Sequence, residues 1–507
     1  MEPRGHRRTL SWALSGALLL TSVAAGSAAT PGLLTSQAQK QTQTKTQKKT
    51  SSQSAPAAGC TNVSWLNLPN VPAFVMDVPA TPTNCDFHEL VYQNFFALNL
   101  GSTPAIATWP TSQQAYPASG TPTCTGAPLA SSLRTRLAKH VPTAARATAD
   151  ITDISSLDDD LQATGQALVD QNGRYVQYEI RVNPQLCQTI TSCQLYTTGC
   201  VSAALAASNP QFLFPTGNGT TVPGVAEVKI AWRVMETCNL PDSPKSNCKK
   251  DDLSQFLTVP NVSVQPYSPT NQGAVTVTVG MVGFHLAQKT PNRPEFIWGT
   301  WEHKASDPVC PGSSNPACLD PSKASSGIST ASGWSFTNPP VQICTGSQTG
   351  PQCANVVQPN STATQTATNV CRVFPCGGGS EPNNENQINI SSLNAAVLAK
   401  VKGTVWANYF LGGTLWGGGA TVQGDPSVPN TGSVLLANTT METYFQAQGQ
   451  NCFTCHNYAP SVQFQNLDFV HSIVRAQYKT TSCPVNVNTC AGSAATTAMT
   501  LLRSSGK

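Results

Sequence analysis

Residues 451–457 read Asn-Cys-Phe-Thr-Cys-His-Asn, and Cys452-Phe453-Thr454-Cys455-His456 is a Cys-x-x-Cys-His run. Two thiols at this spacing lie on one helical turn. Both can form thioethers with the vinyl groups of a haem, and the imidazole that follows sits ready as an axial iron ligand. With 18 Cys and 7 His in 507 residues, the run would arise by chance about 0.01 times per chain. Three other chemistries share parts of the pattern: a plain Cys452–Cys455 disulfide, a thioredoxin-like redox pair and half of a zinc site. Zinc wants a second ligand pair, and the chain has no other Cys-x-x-Cys. A thioredoxin motif wants a βαβ setting that the flanking residues do not supply. The expectation is one covalent haem c, with Cys452 and Cys455 as anchors and His456 as proximal ligand.

A second axial ligand separates electron transfer from catalysis. Met499 follows the motif but stands close to the end of the given sequence, with little chain to hold a ligand loop. His471 lies in Asp468-Phe469-Val470-His471-Ser472, on the flank of an expected helix, and Met441 precedes the motif. His285 and His303 fall on consecutive expected strands, which would bring two imidazoles together on one face of a hairpin. Strand alternation puts Trp298 with Glu302, and Trp301 with His303. His303 is the preferred distal candidate, because an ordered strand holds an imidazole more firmly than a helix flank; His471 and Met499 are the weaker ones. No nucleophile motif supports a hydrolase.

The elements that must position these groups begin with segments to set aside. Residues 1–29 carry Arg4, Arg7 and Arg8 ahead of an apolar run from Leu10 to Ala25 and small residues at Gly26-Ser27-Ala28-Ala29. That is the pattern of a removed export signal. Residues 30–59 are a low-complexity tether of Thr, Gln, Lys, Ser and Ala. Seven of the 29 basic residues and one of the 25 acidic ones precede residue 60. The remaining body is near neutral, so the charge gives no argument for nucleic-acid binding. The 38 Pro, 37 Gly and 16 cysteines outside the haem motif describe an exported, loop-rich chain whose default is eight disulfides. Short separations suggest local bridges within Cys187/Cys193/Cys200, and for Cys238/Cys248, Cys310/Cys318, Cys344/Cys353, Cys371/Cys376 and Cys483/Cys490.

The periodicity predicts a first helix over Asp86–Leu98, capped by Asp86, with His88 on its surface, and a short basic helix over Ser132–His140. Asn172-Gly173 between alternating segments predicts a hairpin. Strands are expected over Val225–Val234, Ala274–Leu286 and Glu295–His303, in an antiparallel sheet of at least five strands with helices on one face. A helix is expected from Ser391 or Ser392 to Tyr409, then an irregular Gly412–Gly424, a helix over Met441–Ala447 leading into the motif, and another over Leu467–Gln477. The glycine-rich stretch lacks the ending of a phosphate loop, and Asp170 with Asn172 lacks the later ligands of a calcium loop. The fold class expected is α+β: a β-rich, disulfide-stapled region over 60–389 and a helical haem c region over 390–507.

The chain resembles a group of exported bacterial proteins of the mono-haem cytochrome c family type. The matching pieces are Phe95-Phe96-Ala97-Leu98-Asn99, Asp170-Gln171-Asn172-Gly173 with the strand after it, and Glu227-Val228-Lys229-Ile230-Ala231-Trp232-Arg233. They continue with Gly283-Phe284-His285, Trp298-Gly299-Thr300-Trp301-Glu302-His303, Asn408-Tyr409 and Leu436-Ala437-Asn438-Thr439-Thr440-Met441-Glu442-Thr443, and close on the haem motif. Trp301 stands where the group has Phe. The resemblance covers most of the body, from about residue 85 to 475, and implies c-type haem and export without naming a substrate. The expected function is extracytoplasmic electron transfer with a redox partner protein or a small donor or acceptor. The alternatives are a haem oxidoreductase of peroxidase or oxygenase type with an open distal site, and a disulfide-rich surface-binding protein. Neither nucleic acid nor a transmembrane segment after signal cleavage is expected.

Overall fold

In the computed structural model the described residues run from 59 to 490, without 131–166, 207–211, 311–333, 344–352, 357–365, 379–384, 418–429, 447–450, 458–475 and a few scattered positions. The expected targeting segment, all but the last residue of the tether, and the helices at Ser132–His140 and Leu467–Gln477 lie outside the described residues.

The centre is an antiparallel sheet of β1 (Gln177–Val182), β2 (Ala226–Val234), β3 (Thr258–Val264), β4 (Val275–Thr290), β5 (Arg293–His303), β6 (Tyr409–Gly417) and β7 (Asn430–Gly432). Its order is β1-β2-β4-β5-β6-β7, with β3 paired to β4. The alternating apolar runs seen in the sequence form β2, β4 and β5. The Asn172-Gly173 turn folds as expected: Gly173 takes φ 76, Val169 bridges Tyr175, and β1 follows.

One sheet face is covered by α1 (Asn84–Asn99) and α5 (Glu385–Lys400). Thr83 precedes α1, and its backbone N–H and its hydroxyl both donate to the Asp86 carboxylate at 2.7 Å. Asp86 thus serves from the third helical position and is not itself the cap. Phe95 stacks on Trp301 at 4.8 Å and meets Phe284 edge-on at 5.3 Å, so the α1 stripe fuses with the inner faces of β4 and β5. Asn94, fully buried, takes the Val75 N–H at 2.6 Å and donates to the Val75 carbonyl and to Gln288. Those bonds, with Gln288 donating in turn to the Val75 carbonyl at 2.9 Å, tie the segment before α1 to both the helix and β4.

Several expectations are corrected. His88 is fully buried, with the Trp416 ring of β6 edge-on against it at 5.5 Å. The helix expected to reach Tyr409 ends at Lys400: Gly403 takes φ +81, a left-handed position that closes a helix. Thr404 then caps a short turn over Val405–Asn408, and β6 begins. Gly412 and Gly413 belong to β6, where a Cβ on Gly413 would lie 2.4 Å from Leu436. Their lack of side chains is a packing need that hides the strand pattern. Because β6 and β7 complete the sheet of β1–β5, a boundary at residue 390 does not divide the fold, and residues beyond it share its core.

Among the described residues most bridges join distant segments, so the expected Cys310/Cys318, Cys371/Cys376 and Cys483/Cys490 pairs do not form, and the expected Cys344/Cys353 pair lies partly outside the described residues. Cys193 pairs with Cys490 and Cys200 with Cys483, across separations of 297 and 283 residues. They clamp the segment after the motif to α3 (Pro184–Ser192) and α4 (Thr198–Ala206), while the short α2 (Ser112–Ala115) packs beside β1. Cys310 pairs with Cys371, Cys124 with Cys187 and Cys60 with Cys85. Cys238–Cys248 is the expected local bridge. Among the described residues no helix is long and apolar enough to cross a membrane.

Candidate haem-attachment site

The motif folds as α6 (Cys452–Asn457), a helix of 6 residues. Its placement follows from the sheet face opposite α1. Strand alternation and register bring Lys229, His285 and Thr300 into one row, Ala287, Trp298 and Leu415 into the next, and Gly283 beside Glu302. A polar strap, residues 433–446, crosses these rows before the chain enters α6.

The strap is fastened by its own side chains. Asn438 Nδ2 donates to Thr300 Oγ1 at 2.7 Å and to the Trp301 carbonyl at 3.0 Å. The Thr439 N–H donates to Glu302 Oε1 at 3.0 Å. The Thr439 hydroxyl lies 2.8 Å from Glu302 Oε2 and 2.7 Å from Asp307 Oδ1, and Arg372 pairs with Glu302 behind it. The Tyr178 hydroxyl donates to the Thr440 carbonyl at 2.6 Å. Gly283 makes the approach possible, since a Cβ there would lie 2.3 Å from Thr440 Oγ1. Over its described part, Met441–Gln446, the expected helix is therefore a run of turns. Its backbone starts one helical bond, Glu442 N–H to the Asn438 carbonyl at 2.8 Å, while its polar groups are spent on the sheet.

Within the strap Glu442 meets His285, whose Nε2 lies 3.1 Å and 2.9 Å from the two carboxylate oxygens. Burial pushes the Glu442 carboxyl up, but His285, Lys229 and the Asn438 N–H outweigh it and hold it below the usual carboxylate range. Both side chains retain some solvent contact, at 14% and 20% exposure, so the pair is open to a proton or a small solute.

Asn451 then anchors the entry to α6 by donating to the Val434 carbonyl at 2.7 Å. Phe453 buries itself with Trp298, Leu415 and Leu436. The His456 ring, half-buried, stands 4.3 Å from the Trp298 ring at 62°. Trp298 Nε1 is buried without a hydrogen-bond acceptor. Two cysteines on one turn with an adjoining imidazole are the donor set of a haem c. The orphaned indole N–H beside His456 adds a polar donor that the described protein groups do not satisfy. These residues fit the group.

His303 takes another part. Register puts it with Trp301 on the α1 face, away from His285, so the two imidazoles do not share a face. Its Nε2 lies 2.9 Å from the Gln255 carbonyl, and the Ala305 N–H donates to Nδ1. Phe256 stacks on the ring at 4.0 Å. Burial drives its pKa down to about 3. With both nitrogens engaged, His303 is a structural residue and no iron ligand. Met441 is fully buried in a core cluster with Val282 and Phe336. His471 and Met499 lie outside the described residues. Glu236, Cys238 and Cys248 cluster closely enough for a metal, but both sulfurs are spent in a disulfide.

The residues that sequence reasoning did not single out are Glu442 and Asn438. Their signal was the polar Asn438-Thr439-Thr440 run just ahead of the helix expected from Met441. No protein-family model, curated protein or solved structure matches this chain.

Proposed function

We propose that the chain is an exported mono-haem c-type cytochrome of the group it resembles, working in electron transfer outside the cytoplasm. The observation that carries the reading is α6, with Cys452, Cys455 and His456 on one short helix beside Trp298. Cys452 and Cys455 are the thioether anchors and His456 the proximal ligand. The haem supplies one-electron chemistry at iron when bound. The chain's own residues orient and shelter it. Trp298 fixes the plane of His456 through ring contact, Phe453 roots the helix in the core, and the strap sets where α6 begins. The disulfides support an oxidising compartment.

A second reading, a haem oxidoreductase, rests on the half-open His285–Glu442 pair on the same sheet face. His285 Nε2 faces a carboxylate that stays ionised, which suits taking a proton from a bound solute and returning it. Peroxide binding to the ferric protein, lost in His285→Gln, is the test of that reading.

Haem staining after denaturing electrophoresis, on chain produced with cytochrome c maturation machinery, tests the primary reading. One covalent haem is expected, absent from the Cys452→Ala/Cys455→Ala variant. An exported wild-type chain without haem overturns it.

A further inference from the structure

We infer that the disulfide-clamped groove between residues 194–198 and 478–484 is a binding site for a neutral oligosaccharide. The groove encloses about 1060 Å³ and takes its walls from these segments and from Gly120 and Thr121. Nothing in this inference depends on the haem.

The walls are built and fixed. Cys193–Cys490 and Cys200–Cys483 cross-link them at both ends, and Thr197 bridges Tyr478 in parallel. The Thr198 N–H donates to the Tyr478 carbonyl at 3.0 Å, and the Thr198 hydroxyl donates to the Thr480 carbonyl at 3.1 Å and accepts the Thr480 N–H at 3.0 Å. Gly199 lets the walls close, since a Cβ there would lie 2.5 Å from the Ser482 carbonyl. A preformed groove binds without the cost of ordering a loop.

The lining selects the ligand. Tyr478 is 37% exposed although its own carbonyl is held by the Thr198 N–H, and its ring meets Tyr196 edge-on at 6.3 Å. A tyrosine held in that way offers a flat apolar face with a polar tip. Around it stand the exposed Thr481 and Ser482 and the half-buried Gln194. Among the described lining residues Lys479 is the one charge, and no carboxylate is present. That composition is wrong for a divalent cation, which needs acidic oxygens, and thin for a phosphate, which wants clustered cations or arginine. A sugar chain has what the groove matches: C–H faces to lie on a ring, hydroxyls to trade with side-chain hydroxyls and amides, and no net charge.

Isothermal titration of the full disulfide-bonded chain with cellotetraose and with chitotetraose tests the assignment. Saturable binding of at least one is expected, weakened about tenfold or more by Tyr478→Ala and changed less than about twofold by Tyr478→Phe, which keeps the ring. Because Tyr478 is partly exposed, Tyr478→Ala should unfold with the wild-type urea midpoint, so a loss of binding reads on the groove. If neither oligosaccharide binds, or Tyr478→Ala binds as tightly as wild type, the assignment is overturned. Saturable binding of a decaproline peptide in place of both sugars overturns it in favour of a peptide site.

Discussion

Replacing Cys193 and Cys490 by serine while Cys200–Cys483 stays intact separates the two clamps. Their bridges span 297 and 283 residues and lie nearly side by side. With neither bridge the unfolded chain regains a loop of nearly three hundred residues, and closing a loop of that size is worth about 5.7 kcal/mol of chain entropy. Once Cys200–Cys483 is made, the second bridge closes only the ring built from residues 193–200 and 483–490. A ring of about 14 residues is worth about 3 kcal/mol. Cys193→Ser/Cys490→Ser should therefore lower the unfolding free energy by about 3 kcal/mol, and removing the second bridge as well by about 5.7 kcal/mol more. Urea unfolding without reductant measures both steps, and peptide mass mapping verifies the remaining bridges. The local pairing Cys483–Cys490 would tie nothing to α3 and α4. Finding that peptide, or a fourfold serine variant no weaker than the double one, refutes the clamp.

Further outcomes test the site and its supports. His303→Ala should cost about 3 kcal/mol, from the lost hydrogen bonds and the cavity under Phe256, and leave the haem optical spectrum unchanged; a shifted spectrum would return His303 to the iron. His88 is buried without a hydrogen-bond partner, and burial lowers its pKa to about 3. Its contribution is complete above pH 6.5 and drains as the pH falls toward about 3, because the unfolded state takes the proton first. At pH 5 that loss is about 2 kcal/mol, and His88→Leu should flatten the acid limb of the urea midpoint by that amount. The Glu442 carboxyl is held below its ordinary range, so its contribution is present above the unfolded carboxylate range and is lost as the pH falls through the lowered folded value. Glu442→Gln should remove that acid dependence in the same titration. Gly283→Ala places a methyl 2.3 Å from Thr440 Oγ1, and should speed amide exchange at Thr439 and Thr440 without melting the sheet.

The strands were legible where side chains alternate and bury: β2, β4 and β5 carry that period openly. β6 was not, because Gly412 and Gly413 remove the pattern at positions where Thr300 and Leu436 press on the backbone. His88 misled because a polar residue on the first turn of a helix is normally solvated. Its burial comes from β6, far downstream in sequence, whose Trp416 ring meets the imidazole edge-on. Local spacing likewise suggested Cys483–Cys490, whereas proximity across the fold is what a disulfide obeys.

The Cys-x-x-Cys-His motif was legible because its pattern is local: two cysteines and a histidine on one short helix. What surrounds it is not local. His285 and Glu442 stand 157 residues apart in sequence, and only the β4–β5 register together with the strap brings them within a hydrogen bond. The pieces Gly283-Phe284-His285, Trp298–His303 and Leu436–Thr443 look unrelated along the chain. In the fold they are one contact: Gly283 admits Thr440, Glu302 receives Thr439, Thr300 receives Asn438, and His285 receives Glu442. A substitution in any of them acts on the same strap, and the strap delivers the chain to α6. The β-rich part thus sets the position of the motif helix against Trp298, a role that its distance in sequence conceals.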